Sequence, residues 1–287
     1  MKIVGLTPVR NEEAIIANHL KCLSKFTDSI IVLDDYSTDN TASICDSLKI
    51  ECNIDHIIYK SEWNRNQAAD RNLLLNHGRA ISGTHFICLD ADECFTSNLL
   101  DGYLRNIIET LNPTDTLQLQ WLQIYNGTEK YYNGEKYWSH YYRDFVFCDD
   151  GKSVYESGVV GTPRFPHFWE WKSKKITGPK YGVVHFNFTK LNEALIKEIW
   201  YKMLIHIFEP NMEKSKIIGF YDGKFPEDNP NLSNALYEWF SGYNSFDYNC
   251  YLTSNNQRKE QILVCLMLRR QARSTDLHFT SLLLLRI

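Results

Sequence analysis

Apolar positions in the first hundred residues form short runs, separated by stretches with helical spacing. Lys2–Leu6 is the first run, and Ile16, Leu20 and Leu23 then recur on one helical face behind Glu12 and Glu13. "SIIVL" (Ser29–Leu33) is the second run, followed by Ala42, Cys45 and Leu48 at helical intervals. Ile57–Tyr59 is the third. Gln67–Asn76 then reads as a helix that Gly78 would close as a C-cap. His85–Leu89 is the fourth. This β–α–β–α–β–α–β order predicts an α/β fold: a mainly parallel sheet with helices on both faces.

Past residue 112 the pattern changes. Leu117, Leu119 and Trp121 alternate with Gln118 and Gln120, which predicts a half-exposed strand. Asn133–Gly134 and Asp149–Lys152 are turn signals between aromatic runs, and "VVHFNF" (Val183–Phe188) is one more strand. Leu191, Leu195, Ile199 and Met203 share a helical face that Pro210 ends, with further helices expected over Ser233–Phe240 and Gln257–Arg270. The expected organisation is an α/β half at 1–112, a β-rich region of the same domain at 113–190, and a helical extension at 191–287 packed on the core.

Composition narrows the class. The 287 residues are 44% hydrophobic and 23% charged with a net charge of −4, so nothing marks a nucleic-acid partner. Eight cysteines lie singly, without a CxxC pair or a zinc spacing; Cys45, Cys88 and Cys265 read as small buried apolar residues, which fits a reducing, cytoplasmic setting. The opening apolar run is too short for a signal peptide and is interrupted by Arg10. No stretch is long enough to span a bilayer, Leu282–Leu285 included, which leaves peripheral membrane contact as the only membrane association expected. The sequons at Asn126 and Asn187 therefore carry little weight. Aromatics make up 14% of the chain and crowd between Trp121 and Trp171, as cleft lining for a carbohydrate or as core filling.

Ligands of open parallel sheets bind beyond the carboxyl ends of the strands, and there the unusual residues gather. The four runs lead into "TPVRNEE" (Thr7–Glu13), "DDYSTDNT" (Asp34–Thr41), "SEWNRNQAADRN" (Ser61–Asn72) and "DADE" (Asp90–Glu93). The last is a greasy strand, "FICLDADEC", driven into three carboxylates. Such a cluster is either an acidic turn or a site for a hard cation, which takes oxygen ligands.

"VRNEE", "DDYSTDNT", "ADRN" and "DADE", in this order and spacing, resemble family 2 glycosyltransferases of the GT-A fold, closely over the first third of the chain and loosely over the hairpin region. The resemblance implies sugar transfer from a nucleotide-diphosphate sugar, most often UDP-linked, with inversion and with Mn2+ or Mg2+. It implies that Asp92 ligates the metal, and that Asp90 contacts the ribose or reaches the metal through water. By the same resemblance Asp35 accepts a hydrogen bond from the base, Pro8, Arg10 and Glu12 enclose the nucleotide, and Arg71 faces base or diphosphate. Asp34 and Asp39 read instead as structural, with Asp39 placed to cap the next helix. His185 reads equally as a core histidine or as a late metal ligand. An inverting transferase needs a carboxylate base on the acceptor side, for which Glu156 comes first, then Asp150 and Asp149, both also explicable as turn residues. His167, Trp169 and Trp171 suit an acceptor platform or a core. The acceptor is expected to be a glycan, a lipid-linked sugar such as lipopolysaccharide, a protein or a small molecule. The "ED" and "QxxRW" motifs of processive synthases are not evident. Two rivals are a haloacid-dehalogenase-type phosphatase, in which Asp90 would be the nucleophile although Cys94 replaces the usual Thr or Val, and a non-catalytic protein that only binds a sugar nucleotide or glycan.

Overall fold

The computed structural model describes residues 1–64, 66–133, 141–156, 162–209, 211–219, 231–243 and 246–253. Its first half is the predicted alternation: β1 (Ile3–Val9), α1 (Ile16–Leu23), β2 (Ser29–Asp34), α2 (Thr41–Ser47), β3 (Ile54–Tyr59), α3 (Gln67–Ala80) and β4 (His85–Cys88). β1 lies between β2 and β4, β3 flanks β2, and all these pairings are parallel. Apolar side chains on both sheet faces explain why β2 is buried throughout and β1 everywhere but at Pro8. Ile3, Ile30, Val32 and Ile87 pack with Ile16, Leu20 and Leu23 on one face. Val4, Leu6, Ile31, Leu33 and Phe86 pack with Leu74 and Leu75 of α3 on the other.

The second half adds β5 (Glu93–Phe95), α4 (Tyr103–Ile108), β6 (Thr116–Tyr125), β7 (Lys130–Tyr132), β8 (Tyr142–Cys148), β9 (Ser173–Lys175) and β10 (Gly182–Phe188). β8 runs antiparallel beside β4 and places Cys148 opposite His85. β10 pairs antiparallel with β5 and parallel with β6, bringing His185 opposite both Glu93 and Gln123. Then follow α5 (Leu191–Phe208), α6 (Lys214–Gly219), β11 (Leu232–Asn234) and α7 (Asn249–Thr253). The main path through the sheet runs β11-β7-β6-β8-β4-β1-β2-β3.

Three expectations need correction. Gly78 does not cap α3, which continues to Ala80 and gives way at Ser82 in left-handed conformation (φ 63). A Cβ on Gly78 would lie 2.5 Å from Phe86 Cε1, so this glycine lets α3 approach β4 closely. β6 is not half exposed: Gln120 and Gln123 are 5% and 2% exposed, because β8 and β10 flank the strand and apolar clusters cover its faces. Ser233–Phe240 is not one helix, but the end of β11 followed by a 3-10 turn at Tyr237–Trp239. Leu236, Trp239 and Phe240 have helical spacing because the turn tucks Trp239 against Tyr131, with ring centroids 4.9 Å apart.

Gln257–Arg270, Cys265, Pro210, Gly134 and Leu282–Leu285 lie outside the described residues. Cys45 and Cys88 are buried free thiols as expected. No helix among the described residues is long and apolar enough to cross a membrane. α5 forms its own apolar cluster with α6 through Ile199, Trp200, Met203, Leu204 and Ile217. Trp200 also stacks on Trp63 of the loop after β3, with centroids 6.1 Å apart, which ties α5 to the carboxyl end of the parallel strands.

Candidate active site

The loops after β1 and β2 are stitched together. Asn11 (φ 52) and Tyr36 (φ 58) both adopt left-handed backbone, unusual for non-glycine residues and concentrated at functional loops. The Asn11 amide donates to Ser37 Oγ at 3.0 Å, and its Oδ1 accepts from the Thr38 amide at 2.7 Å. The Glu12 amide donates to Thr41 Oγ1 at 2.8 Å, and the Glu13 carboxylate accepts from the Asn40 amide at 3.0 Å. Asp34 is spent inside its own turn, accepting from the Ser37 amide and hydroxyl. Asp39 accepts from the Thr41 amide at 3.0 Å, at the start of α2. Both are structural, as expected.

Asp35 is different. Its carboxylate pairs with Lys60 Nζ at 2.5 Å, and the same ammonium reaches Asp70 at 2.9 Å. Burial pushes the Asp35 carboxyl above the ordinary range despite the pull of Lys60. Arg10 donates to the Asp35 carbonyl and holds its guanidinium 5.0 Å over the Trp63 ring. Pro8 lies on β1 opposite Leu33. Arg10, Asp35, Lys60 and Trp63 thus wall one side of the crevice.

The acid-tipped end of β4 forms the other side. Glu93 closes the turn on Asp90: its carboxylate accepts from the Asp90 amide at 2.9 Å, and its amide donates to the Asp90 carbonyl at 3.0 Å. Fully buried, the Glu93 carboxylate also accepts from Trp121 Nε1 at 2.8 Å and from Arg164 at 2.7 Å. Arg164 bridges to Asp90 Oδ2 at 2.9 Å, while Arg71 approaches Asp90 Oδ1 at 3.6 Å. Burial opposes ionisation of Asp90, but the guanidiniums of Arg164 and Arg71 outweigh it and hold its carboxyl below the usual range. His19 braces this turn from α1: one ring nitrogen meets the Glu93 carbonyl at 2.8 Å, the other Thr7 Oγ1 at 3.0 Å.

Asp92 faces β10 and α5. Its Oδ2 lies 3.4 Å from His185 Nε2 and 3.1 Å from Lys197 Nζ. His185 Nδ1 meets Gln123 Oε1 at 2.6 Å, and its ring stacks on Trp121 with centroids 4.4 Å apart. With Nδ1 held by Gln123, Nε2 is the ring atom that faces Asp92. Burial disfavours the Asp92 carboxylate, but Lys197 and His185 more than compensate and set its carboxyl well below the usual range. Among the described residues no group of three or more His, Cys, Asp or Glu side chains is arranged to hold a metal; the available donors are the Asp92–His185 pair.

The structure therefore brings together Arg10, Asp35, Arg71, Asp90, Asp92 and His185, but not Asp150 or Asp149 of the three candidate bases. Asp150 is not at the site. It accepts from the Lys152 and Ser153 amides in its own turn, and its neighbour Asp149 pairs with Arg79 and bonds back to Thr84, at the start of β4. Thr84 and Asp90 are six residues apart along an extended run, about 20 Å. The backbone before Glu156 is held beside Arg71, since Tyr155 and Asn72 bond each other twice, but the Glu156 carboxylate is 69% exposed and 4.0 Å from His167 Nε2. Trp169 is 93% exposed, and the chain beyond Trp171 leads to the start of β6, while the Trp171 ring lies 5.8 Å from that of Phe165, the residue after Arg164. Four site residues escaped the sequence reading: Lys60, Glu93, Arg164 and Lys197. Only Glu93 carried a signal, as the third acid of the cluster.

The Glycosyl transferase family 2 model matches residues 6–170. Against Staphylococcus aureus TarS the chain is 13% identical over 78% of its own length and 43% of that chain, with a TM-score of 0.42, so it spans less than half of TarS. Against the mannosyltransferase PcManGT from Pyrobaculum calidifontis, solved with GDP-Man and Mn2+, identity is 16% over 98% of this chain and 78% of that one, with a TM-score of 0.45. Glucosyl-3-phosphoglycerate synthase from Mycobacterium tuberculosis, solved with Mn2+, UDP and glucosyl-3-phosphoglycerate, shares 26% identity over 32% of this chain and 34% of that one, with a TM-score of 0.23. No curated protein sequence matches the chain significantly. The family match sets aside the dehalogenase-type phosphatase, and Asp90, engaged by two arginines, is not the free nucleophile that reading requires. Because the match covers more than half of the 287 residues and includes the loops after β1 and β2 and the acid-tipped end of β4, the chain belongs to glycosyl transferase family 2.

Proposed function

We propose that this enzyme transfers a sugar from a nucleotide-diphosphate donor, most often UDP-linked, to a hydroxyl of a glycan, lipid-linked or protein acceptor, with inversion and with Mn2+ or Mg2+. The observation that carries this reading is the Asp92–His185 pair, one carboxylate oxygen and one imidazole nitrogen 3.4 Å apart beyond β4, across the crevice from Asp35. Oxygen and imidazole donors suit Mn2+, and Gln123 and Trp121 fix the ring as an outer shell should. Asp92 and His185 would hold the ion, which supplies Lewis-acid neutralisation of charge on the departing diphosphate.

The chain's own groups do the rest. Asp35, released from Lys60, accepts from the base; Arg10 and Trp63 cover that side. Arg71, whose Nε has no partner among the described residues, turns toward the diphosphate while Arg164 keeps Asp90 in place. Glu156 takes the acceptor proton from the open face beside α3. Glu156→Gln is expected to bind donor normally and to lose about 10^2-fold or more in kcat, the usual worth of a general base. Normal kcat in that variant would put the base elsewhere.

Isothermal titration of UDP and GDP, with and without Mn2+, tests the donor reading: metal-enhanced binding of one of them supports it, and no binding of either rejects it. A panel of nucleotide sugars assayed for hydrolysis then identifies the sugar. Nucleotide binding with no hydrolysis or transfer would mark a binding protein.

A further inference from the structure

Lys60 follows the last residue of β3 and sits level with Asp35 at the end of β2, because its amide donates to the Asp34 carbonyl at 3.0 Å. Its ammonium carries three N–H donors. Two go to acceptors that belong to the scaffold: Asp70 Oδ1 in the first turn of α3 and the Asn64 carbonyl, each at 2.9 Å. The third is left for Asp35 Oδ1, which it meets as an ion pair at 2.5 Å. All three side chains are mostly buried, Lys60 at 10% exposure, so one ammonium serves two carboxylates with little help from water. Neutralising Asp35 would not need the bonds to Asp70 and Asn64. Those bonds keep the ammonium in place when Asp35 turns to a ligand.

We infer that Lys60 reads the nucleobase: anchored on Asp70 and Asn64, it gives its third N–H to a ring carbonyl while Asp35 takes the adjacent ring N–H. The inference rests on the nucleotide-sugar reading above and deepens it by naming the class of base. A fixed donor beside an acceptor complements an edge on which a ring N–H adjoins a carbonyl. Uracil has such an edge, N3–H between two carbonyls, and guanine has another, N1–H beside O6. Cytosine and adenine present the reverse, a ring-nitrogen lone pair beside an amino group. Asp35 alone would discriminate poorly, since a carboxylate also accepts from the amino group of cytosine. With Lys60 beside it, that arrangement sets the ammonium against a donor and leaves a buried charge without its partner. The lysine turns a simple acceptor into a reader of the carbonyl.

The test is calorimetric titration of the full chain, in Mn2+, with UDP, GDP, CDP and ADP, and with analogues whose carbonyl oxygen is replaced by sulfur, a poorer acceptor. These are 2-thio-UDP and 4-thio-UDP, or 6-thio-GDP if GDP binds better than UDP. The parent is expected to bind UDP or GDP about a hundredfold more tightly than CDP and ADP, and to bind one thio analogue roughly tenfold more weakly than its oxygen parent. Lys60→Met is expected to weaken the oxygen nucleotide roughly tenfold and that analogue hardly at all, so the two become equal. A variant that weakens both by the same factor gives Lys60 a structural role only and overturns the inference. Equal binding of oxygen and thio nucleotides by the parent also overturns it, a result that needs no variant to fold. Binding of CDP as tight as that of UDP overturns it too. If none of the four nucleotides binds, the donor reading itself falls, and this inference with it.

Discussion

Asp92→Ala is expected to lower kcat/KM by roughly 10^3-fold or more, because it removes the anionic anchor for charge stabilisation at the leaving group. The fold should survive. Asp92 sits in the turn between β4 and β5, outside the sheet ladder, and its loss leaves Lys197 and His185 near each other without their shared anion. A cost of about 2 kcal/mol, below the range for fully buried pairs, corresponds to a fall of several degrees in Tm. The two measurements separate the roles: transfer assayed well below the variant's Tm reports the chemistry, and the melt reports the ion pair. Full turnover by Asp92→Ala in the presence of a chelator would reject the assignment.

The second large effect belongs to Arg164. Arg164→Met should lose about 3–5 kcal/mol of stability, since it strands a fully buried carboxylate against one indole N–H and one backbone amide. On a chain of this size that is on the order of 10 °C in Tm. Transfer falls too, because Asp90 loses its closest cation. The pH dependence identifies the cause. Burial already holds the Glu93 carboxyl above the ordinary range, with Arg164 pulling it back; without Arg164 it rises further. A carboxyl with a raised folded pKa binds its proton more tightly folded than unfolded, so stability declines as pH climbs from about 4.3 toward the folded value. The deficit of Arg164→Met relative to the parent should therefore be greatest near pH 7–8 and shrink toward pH 5, read from denaturant midpoints at fixed salt. A deficit that stays constant over that range would mean that Arg164 acts by packing on Phe145 and Trp121 rather than by charge.

How much of this was legible in the chain depends on how local each interaction is. β1, β2 and β4 announce themselves because each buries a contiguous apolar run, and Asp90 and Asp92 because charge directly follows one. Asp35, Arg10 and Arg71 fall at strand ends, where topology alone makes polar residues suspect. Arg164 gives no such sign: it sits in "TPRF", and its partners are 71 and 74 positions earlier in sequence. Lys197 reads as the wet side of an amphipathic helix until β10 and α5 are placed. Gln118 and Gln120 looked outward because alternation implies one exposed face, and nothing local reveals what packs on both faces of β6. Asp150 failed for a related reason: β8 reverses direction beside β4 and carries the chain away from the site.

That late arrival of β10 bears on how the enzyme is made. His185 meets Glu93 across a gap of more than ninety residues, and β10 lodges between β5 and β6, both synthesised long before it. Contacts so distant in sequence form slowly, after the nearby ones. On the ribosome the crevice around Asp35 can take shape while His185 has yet to emerge. On the reading proposed above, a half-made chain would grip a nucleotide before it could do anything with the sugar attached.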